Sequence, residues 1–276
     1  REGKTAAAMT AYADAGSIVV ASDPDARVQL MVTAWADDVA TVSDPHERLR
    51  TSVMLSQTNA TVAALQSAAR EKARDMGWIT GTDVTYRGPR GTRVYAAGEA
   101  VLVKHTIYQK SDDTAPTVFN GQRAIVTAID PKTKAMTLEW DRAGERMSRT
   151  VDASYAAMHV APGYALTVHG AQGQTIRHVH TDPSGGTRNS LYVQNTRGSE
   201  STTVYTDLVA LDVHGQERHQ IMAMAEQDRQ QWAAQAIADQ IDRWGWAETE
   251  TAHDATGTPI PEPIAQPNTQ GLTPAA

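Results

Sequence analysis

Two stretches of the chain carry side chains whose types and spacing suit work on phosphate groups. In GYALTVHGAQGQTI (163–176) an apolar run of the buried-strand kind leads into a turn holding Thr167, His169, Gln172 and Gly173. Polar donors at a strand's end, beside a glycine that lets backbone come close, are how open α/β sheets place ligand contacts. About twenty residues later, LYVQNTRGSESTTVYTDL (191–208) sets Arg197 between a strand read as ending at Asn195-Thr196 and the strand that follows. A guanidinium there can lie against a phosphate presented by a facing domain and neutralise charge as it develops.

Two further patterns invite chemistry. Gly3-Lys4-Thr5 is the second half of a phosphate-binding loop, but that loop needs a preceding strand, an earlier glycine and a later acidic strand end. Asp23 is better read as the cap before Pro24, so this triplet is taken as incidental. His178-Val179-His180 puts two imidazoles on one face of a strand, as a divalent metal requires. A metal-dependent nicking site of the HUH kind would also need a third ligand and a nucleophilic tyrosine. His169, Tyr192 and Tyr205 are available, and their spacing selects none of them. No metal ligand is assigned.

These residues must be positioned by a core, and 276 residues with 41% hydrophobic content can supply one. No apolar run approaches the roughly eighteen residues of a membrane span. The absence of cysteine excludes disulfides and thiolate metal sites, and it fits a reducing, cytoplasmic setting. The Asn59-Ala60-Thr61 sequon is read as incidental. The chain starts at Arg1, and the expectation is a piece of a longer protein. The net charge of −7 is unevenly spread. Residues 86–149 hold eleven Lys/Arg against seven Asp/Glu, a local +4, while 247–276 hold four acids and no Lys or Arg.

The spacing predicts a helix over 5–15, a buried strand over 17–21, and a helix starting at Asp23-Pro24 with Val28, Met31, Val32 and Trp35 inward. A second strand follows at 53–57, then a helix capped by Thr58-Asn59 with Val62, Leu65 and Ala69 on one face. From about residue 81 helical spacing gives way to short β-like runs separated by Asn120-Gly121 and Asp130-Pro131 turns, the texture of a small barrel. Buried-strand texture returns after Pro162-Gly163. Residues 214–244 read as one long amphipathic helix with Ala233, Ile237, Ile241 and Trp244 on its apolar stripe. The last 22 residues contain five prolines and read as disordered. The tryptophans are read as packing anchors.

Taken together, the segments resemble a known family. GYALTVHGAQGQTI and LYVQNTRGSE resemble motifs V and VI of RecD-like superfamily 1 helicases, and SVMLSQTNATVAALQSAAR (52–70) resembles motif IV. GEAVLVKH, VFNGQRAIVTAID and LEW resemble the SH3-like 2B insertion of that family. The order is most similar to the helicase half of TraI/TrwC-type (MobF) conjugative relaxase–helicases, over about residues 1–210.

The resemblance implies a RecA-like α/β fold: domain 2A in two parts, 1–85 and 161–212, with the SH3-like barrel over 86–160. A C-terminal helix (213–246) and a Pro-rich tail (247–276) would follow. It implies that Arg197 is an arginine finger, that Gln172, Gly173 and Arg70 serve the nucleotide, and that Thr167, His169 and Arg123 lie on single-stranded DNA. ATP and magnesium would be bound mainly by a Walker-bearing RecA-like half in the same full-length chain, beside a relaxase domain. The fragment alone is expected not to hydrolyse ATP. Gly170, Gln66, Glu99 and Ser199 depart from the family's usual Lys/Arg, Asn, Asp and Arg. The competing reading is a non-catalytic remnant or accessory module that binds single-stranded DNA or a partner protein whatever the nucleotide state.

Overall fold

A computed structural model describes residues 4–89, 91–109, 115–171, 174–186 and 197–251, without the side chains of Lys4, His169 and 244–251. The chain runs α1 (Lys4–Asp14), β1 (Ile18–Ala21), α2 (Pro24–Val39), α3 (Pro45–Thr51), β2 (Ser52–Ser56) and α4 (Asn59–Asp75). The inserted segment comprises β3 (Val84–Gly88), β4 (Gly91–Tyr95), β5 (Ala100–Val103), β6 (Arg123–Ile129), β7 (Met136–Arg142), β8 (Glu145–Val151), α5 (Ala153–His159) and β9 (Val160–Pro162). The chain then resumes with β10 (Ala165–Thr167), a 3-10 turn at His169–Ala171, β11 (Ile176–Asp182), β12 (Gly198–Asp207), α6 (Gly215–Ala223) and α7 (Glu226–Thr251). No described helix is long and apolar enough to cross a membrane.

β1, β12, β11, β2 and β10 form, in that order, a wholly parallel sheet. Strands buried on both faces need unbroken apolar sequence, and β2 meets this: Met54 faces α2 and α4, while Val53 and Leu55 face the opposite side with Val179. The helix starts are built from side chains. Asp23 accepts from the Ala26 N–H (2.9 Å) and Thr58 from the Thr61 N–H (3.1 Å), caps worth about 1 kcal/mol each. Val28, Met31, Val32 and Trp35 of α2 are buried, as are Leu65 and Ala69 of α4. On the other face, α7 lays Ala233, Ile237 and Ile241 against α1, β1 and β12.

The long C-terminal helix read from sequence is two helices, because Met224 adopts an extended conformation (ψ 153°) between α6 and α7. The stop expected at Gly245 is passed, since α7 continues to Thr251. Two short helices, α3 and α5, carry too little periodicity to be legible in the sequence. Residues 252–276, read as a tail, lie outside the described residues.

The insertion pairs antiparallel in the order β8-β7-β6-β5-β9, with β3-β4 as a separate hairpin. The hydrogen-bonded ladder is therefore open. Its interior is closed by side chains, Trp140, Leu138 and Val126 packing with Tyr86 and Tyr95 from the hairpin.

At the carboxyl edge of the parallel sheet, Ala21 pairs with Asp207 and Ser56 with Asp182. Buried Arg27 reaches across them, with Nη1 3.2 Å from Asp182 Oδ1 and 2.9 Å from Asp207 Oδ2. The second contact is an ion pair without hydrogen-bond alignment. Removing one member of such a buried set costs about 3–5 kcal/mol, because it strands the others.

Candidate functional site

The chain leaves the parallel sheet after α4 and rejoins it at β10, and two clefts lie along that seam. Four features hold the seam. Gly163 has no room for a side chain, since a Cβ there would meet the Val101 carbonyl carbon at 2.6 Å. Its own carbonyl accepts from Arg123 Nε (3.2 Å) and Nη2 (3.0 Å), while Arg123 Nη1 donates to the Leu49 carbonyl at 2.7 Å. Gln66 of α4 donates to the Pro162 carbonyl at 2.8 Å and accepts from the Tyr164 N–H at 3.0 Å. Arg70 of α4 donates to Glu99 Oε1 (2.7 Å) and Asp83 Oδ1 (2.8 Å) on the segments leading to β3 and β5.

Two of the site residues expected from the sequence lie in this seam. Arg123 is 7% exposed, and burial pushes its guanidinium pKa down to about 10. Its guanidinium, expected on the DNA track, is occupied by three hydrogen bonds to backbone carbonyls. Arg70, expected to serve the nucleotide, is engaged by two carboxylates and ties α4 to the insertion. Glu99, noted in the sequence as a departure, is the buried partner that makes this tie.

The first cleft lies at the amino edge of the sheet. There Ile176 begins β11 opposite Gly198, the first residue of β12. The Ile176 N–H donates to the Arg197 carbonyl at 3.2 Å, and Ser199 Oγ donates to the Ile176 carbonyl at 3.4 Å. Arg197 therefore sits immediately before β12, next to the end of the Gln174-Thr175 turn. Beside them opens a cleft of about 270 Å³ lined by His46, Arg50, Gln122, Asp141, Gln174 and Thr175, with Arg123 in its wall. Gln172, Gly173 and the LYVQ run lie outside the described residues.

The second cleft is a groove of about 450 Å³ between α4 and the β4, β5 and β9 strands, reaching β10. Arg70, Arg93 and Lys104 line it above an apolar floor of Leu102 and Leu166, and Thr167 stands at its end. Thr167 Oγ1 accepts from the Gly170 N–H at 3.1 Å. A Cβ at position 170 would sit 3.1 Å from that hydroxyl, tighter than ordinary contact. The backbone of His169 lies in the 3-10 turn after Thr167.

Thr167, expected on the DNA strand, and Arg197, expected at the nucleotide, stand apart in the sheet. Thr167 pairs with Ser56 at the carboxyl edge, whereas Arg197 lies at the amino edge. Reading the strands from sequence did not expose this, because β10 ends and β11 begins at opposite edges of the sheet. Gln174, Thr175, Arg50, Arg93 and Lys104 were not singled out. Arg93 and Lys104 had been counted only within the +4 segment.

The His178/His180 pair is accounted for without a metal. His180 Nε2 lies 2.7 Å from Asp38 Oδ2 and Nδ1 lies 3.0 Å from the Tyr205 hydroxyl, so both ring nitrogens are engaged. His178 Nδ1 meets Ser201 Oγ at 2.9 Å. Tyr205, a candidate nucleophile of the nicking reading, is 3% exposed, with its hydroxyl pKa raised out of the ordinary range by burial. No group of three or more His, Asp or Glu among the described residues is arranged to hold a metal ion.

No family profile matches the chain. It is 36% identical over 89 residues to the uncharacterized proteins Rv2311 and MT2373 of Mycobacterium tuberculosis, an overlap of 32% of this chain and 50% of theirs. The chain spans about half the length of these curated relatives. Solved structures similar to it include the Pif1 helicase from Candida albicans, at 15% identity and a TM-score of 0.42 over 72% of this chain and 58% of that one. Another is the Bacteroides Pif1 helicase in complex with ADP-AlF3 and single-stranded DNA, at 14% identity and a TM-score of 0.40 over 74% of this chain and 49% of that one.

Proposed function

We propose that this chain is the second RecA-like half, with a 2B-type SH3-like insertion, of a superfamily 1 DNA helicase of the conjugative relaxase type. The observation that carries the reading is that Gln174-Thr175, at the end of the motif V-like stretch, and Arg197 lie at one edge of a parallel sheet, where the Ile176 N–H donates to the Arg197 carbonyl. An arginine, a glutamine and a threonine at one sheet edge are the residue types that suit phosphate oxygens of a nucleotide held by a facing domain. The carboxylate of Asp141 in the adjoining cleft is engaged by Arg50 and Arg146, so magnesium would be held by the Walker-bearing half.

Bound ATP supplies the transferable phosphoryl group, and this chain's contribution is electrostatic and positional. Arg197 stabilises charge on the phosphoryl oxygens. Gln174 and Thr175 couple that edge through the turn to Thr167 and His169, which border the cationic groove where single-stranded DNA runs. Hydrolysis at one edge is thereby linked to strand movement at the other, in plasmid unwinding during transfer between cells.

The test is to supply a Walker-bearing RecA-like half, linked or in trans, and measure DNA-stimulated ATP hydrolysis. Arg197→Ala is expected to lower kcat by about 10³-fold or more, with single-stranded DNA binding retained. An unchanged ATPase would overturn the arginine-finger assignment. DNA binding that never responds to nucleotide would favour the accessory-module reading.

A further inference from the structure

The buried set at the carboxyl edge of the parallel sheet holds one cation for two carboxylates. Arg27 is 5% exposed, and Asp182 and Asp207 are fully buried. Asp182 is supplied on both oxygens. Its Oδ1 accepts from the Ser184 N–H (3.0 Å) and from Arg27 Nη1 (3.2 Å), and its Oδ2 accepts from Ser56 Oγ (3.1 Å). Arg27 Nη1 also donates to Ser184 Oγ at 3.0 Å. Asp207 is supplied on one oxygen, Oδ1, which accepts from the Val209 (2.9 Å) and Ala210 (2.8 Å) N–H groups. Its Oδ2 lies 2.9 Å from the same Arg27 nitrogen but receives no hydrogen bond, and Arg27 Nε donates none.

An orphan donor and an orphan acceptor thus stand within one buried set, and buried polar atoms without partners are rare enough to need a reason. They can satisfy each other. A turn of the guanidinium would aim Nε–H and one Nη–H at Asp207 as a fork, the pairing that arginine and carboxylate favour. Asp182 would keep the Ser184 N–H and Ser56, while the Ser184 hydroxyl would lose its donor. Either arrangement gives the cation two donated bonds and leaves one group short. The two are therefore close in energy, and close packing around them makes the choice discrete.

We propose that Arg27 is a two-position selector, paired with Asp182 and Ser184 in one state and with Asp207 in the other. In the first state it fastens Ser184, and with it the Pro183–Gly186 stretch that leaves β11, to the first turn of α2. In the second state that stretch is released, and α2 is tied to the end of β12 instead. The device follows from two carboxylates competing for a single buried guanidinium, and it does not depend on the helicase reading.

The experiment is NMR on the whole chain, with relaxation dispersion at the arginine Nε–H groups. Hydrogen exchange is read at the Gly186 N–H, which donates to the Pro183 carbonyl at 2.9 Å. Arg27→Lys identifies the Arg27 signal by removing it. In the wild type that signal is expected to show exchange on the μs–ms scale. Ser184→Ala takes an acceptor from the first state, so it should move the signal toward the Asp207 state and speed Gly186 exchange about tenfold. Asp207→Asn keeps an oxygen for the Val209 and Ala210 N–H groups and should move the signal the opposite way, with Gly186 exchange slowed. An Arg27 signal that shows no dispersion and shifts in neither variant overturns the selector and leaves a fixed ion pair. Shifts of the same direction in both variants overturn it too, as does Gly186 exchange that responds to neither. Should Asp207→Asn fail to fold, the wild-type dispersion and Ser184→Ala decide the question by themselves.

Discussion

A carboxylate sits in each of the two clefts along the seam, and the two are treated oppositely. In the amino-edge cleft, burial tends to raise the pKa of Asp141, but the hydrogen bond from Arg50 and the nearby charges of His46, Arg146 and Arg50 outweigh it and hold the carboxyl below its usual value. In the groove, burial of Glu99 wins over the attraction of Arg70, and its pKa is raised. Asp141 lies near the surface among several cations, whereas Glu99 is 1% exposed with one arginine beside it. Partner number and solvent access, more than the presence of a salt bridge, set the sign. The amino-edge cleft is consequently a balanced, hydrated mixture of charges, and the groove is a cationic surface whose one deep carboxylate is held underneath.

That contrast can be broken at several points. The largest effect is the loss of hydrolysis in Arg197→Ala, and its counterpart in the groove, Thr167→Ala, should weaken coupling of ATPase to DNA while leaving basal hydrolysis within a few-fold. Next is Arg123→Met, which deletes three hydrogen bonds to backbone carbonyls at the seam. A loss of about 2–4 kcal/mol in folding stability is expected, read by chemical denaturation, with the single-stranded DNA affinity of the folded protein unchanged. A fall in DNA affinity without loss of stability would return Arg123 to the binding surface. A smaller effect belongs to Arg93→Ala. If the groove follows a phosphate backbone, the slope of log K against log salt should drop by about one unit; the same change at Arg50 should leave it unaltered.

The subtlest effect is the pH dependence of stability. A carboxyl whose folded pKa lies above its ordinary 4.5, as at Glu99, gives stability that is complete below that value and declines as pH rises through the folded pKa. A carboxyl held below its ordinary 3.8, as at Asp141, gives stability present above that value and lost as pH falls through the folded pKa. Glu99→Gln should therefore remove a decline on the rising side, and Asp141→Asn should flatten the acid limb. Denaturation profiles between about pH 3 and pH 7 separate the two; slopes of the same sign would collapse the contrast.

Sequence alone determined the alternation of strand and helix before residue 81, the change to short antiparallel strands, and the buried faces of α2, α4 and α7. These follow from periodicities of 3.6 and 2, and from caps such as Asp23 and Thr58, which act within a few residues. The types of side chain at 163–176 and at Arg197 were legible for the same reason. Only the tertiary structure decided that Arg197 and Thr167 stand at opposite edges of the sheet, that Arg123 faces inward, and that Arg70 is bound to Glu99. Each depends on which strands lie side by side and on contacts between residues tens of positions apart. Cationic side chains at strand positions read the same whether they meet a carbonyl, a carboxylate or a phosphate. Their surroundings, set by the fold, choose among the three.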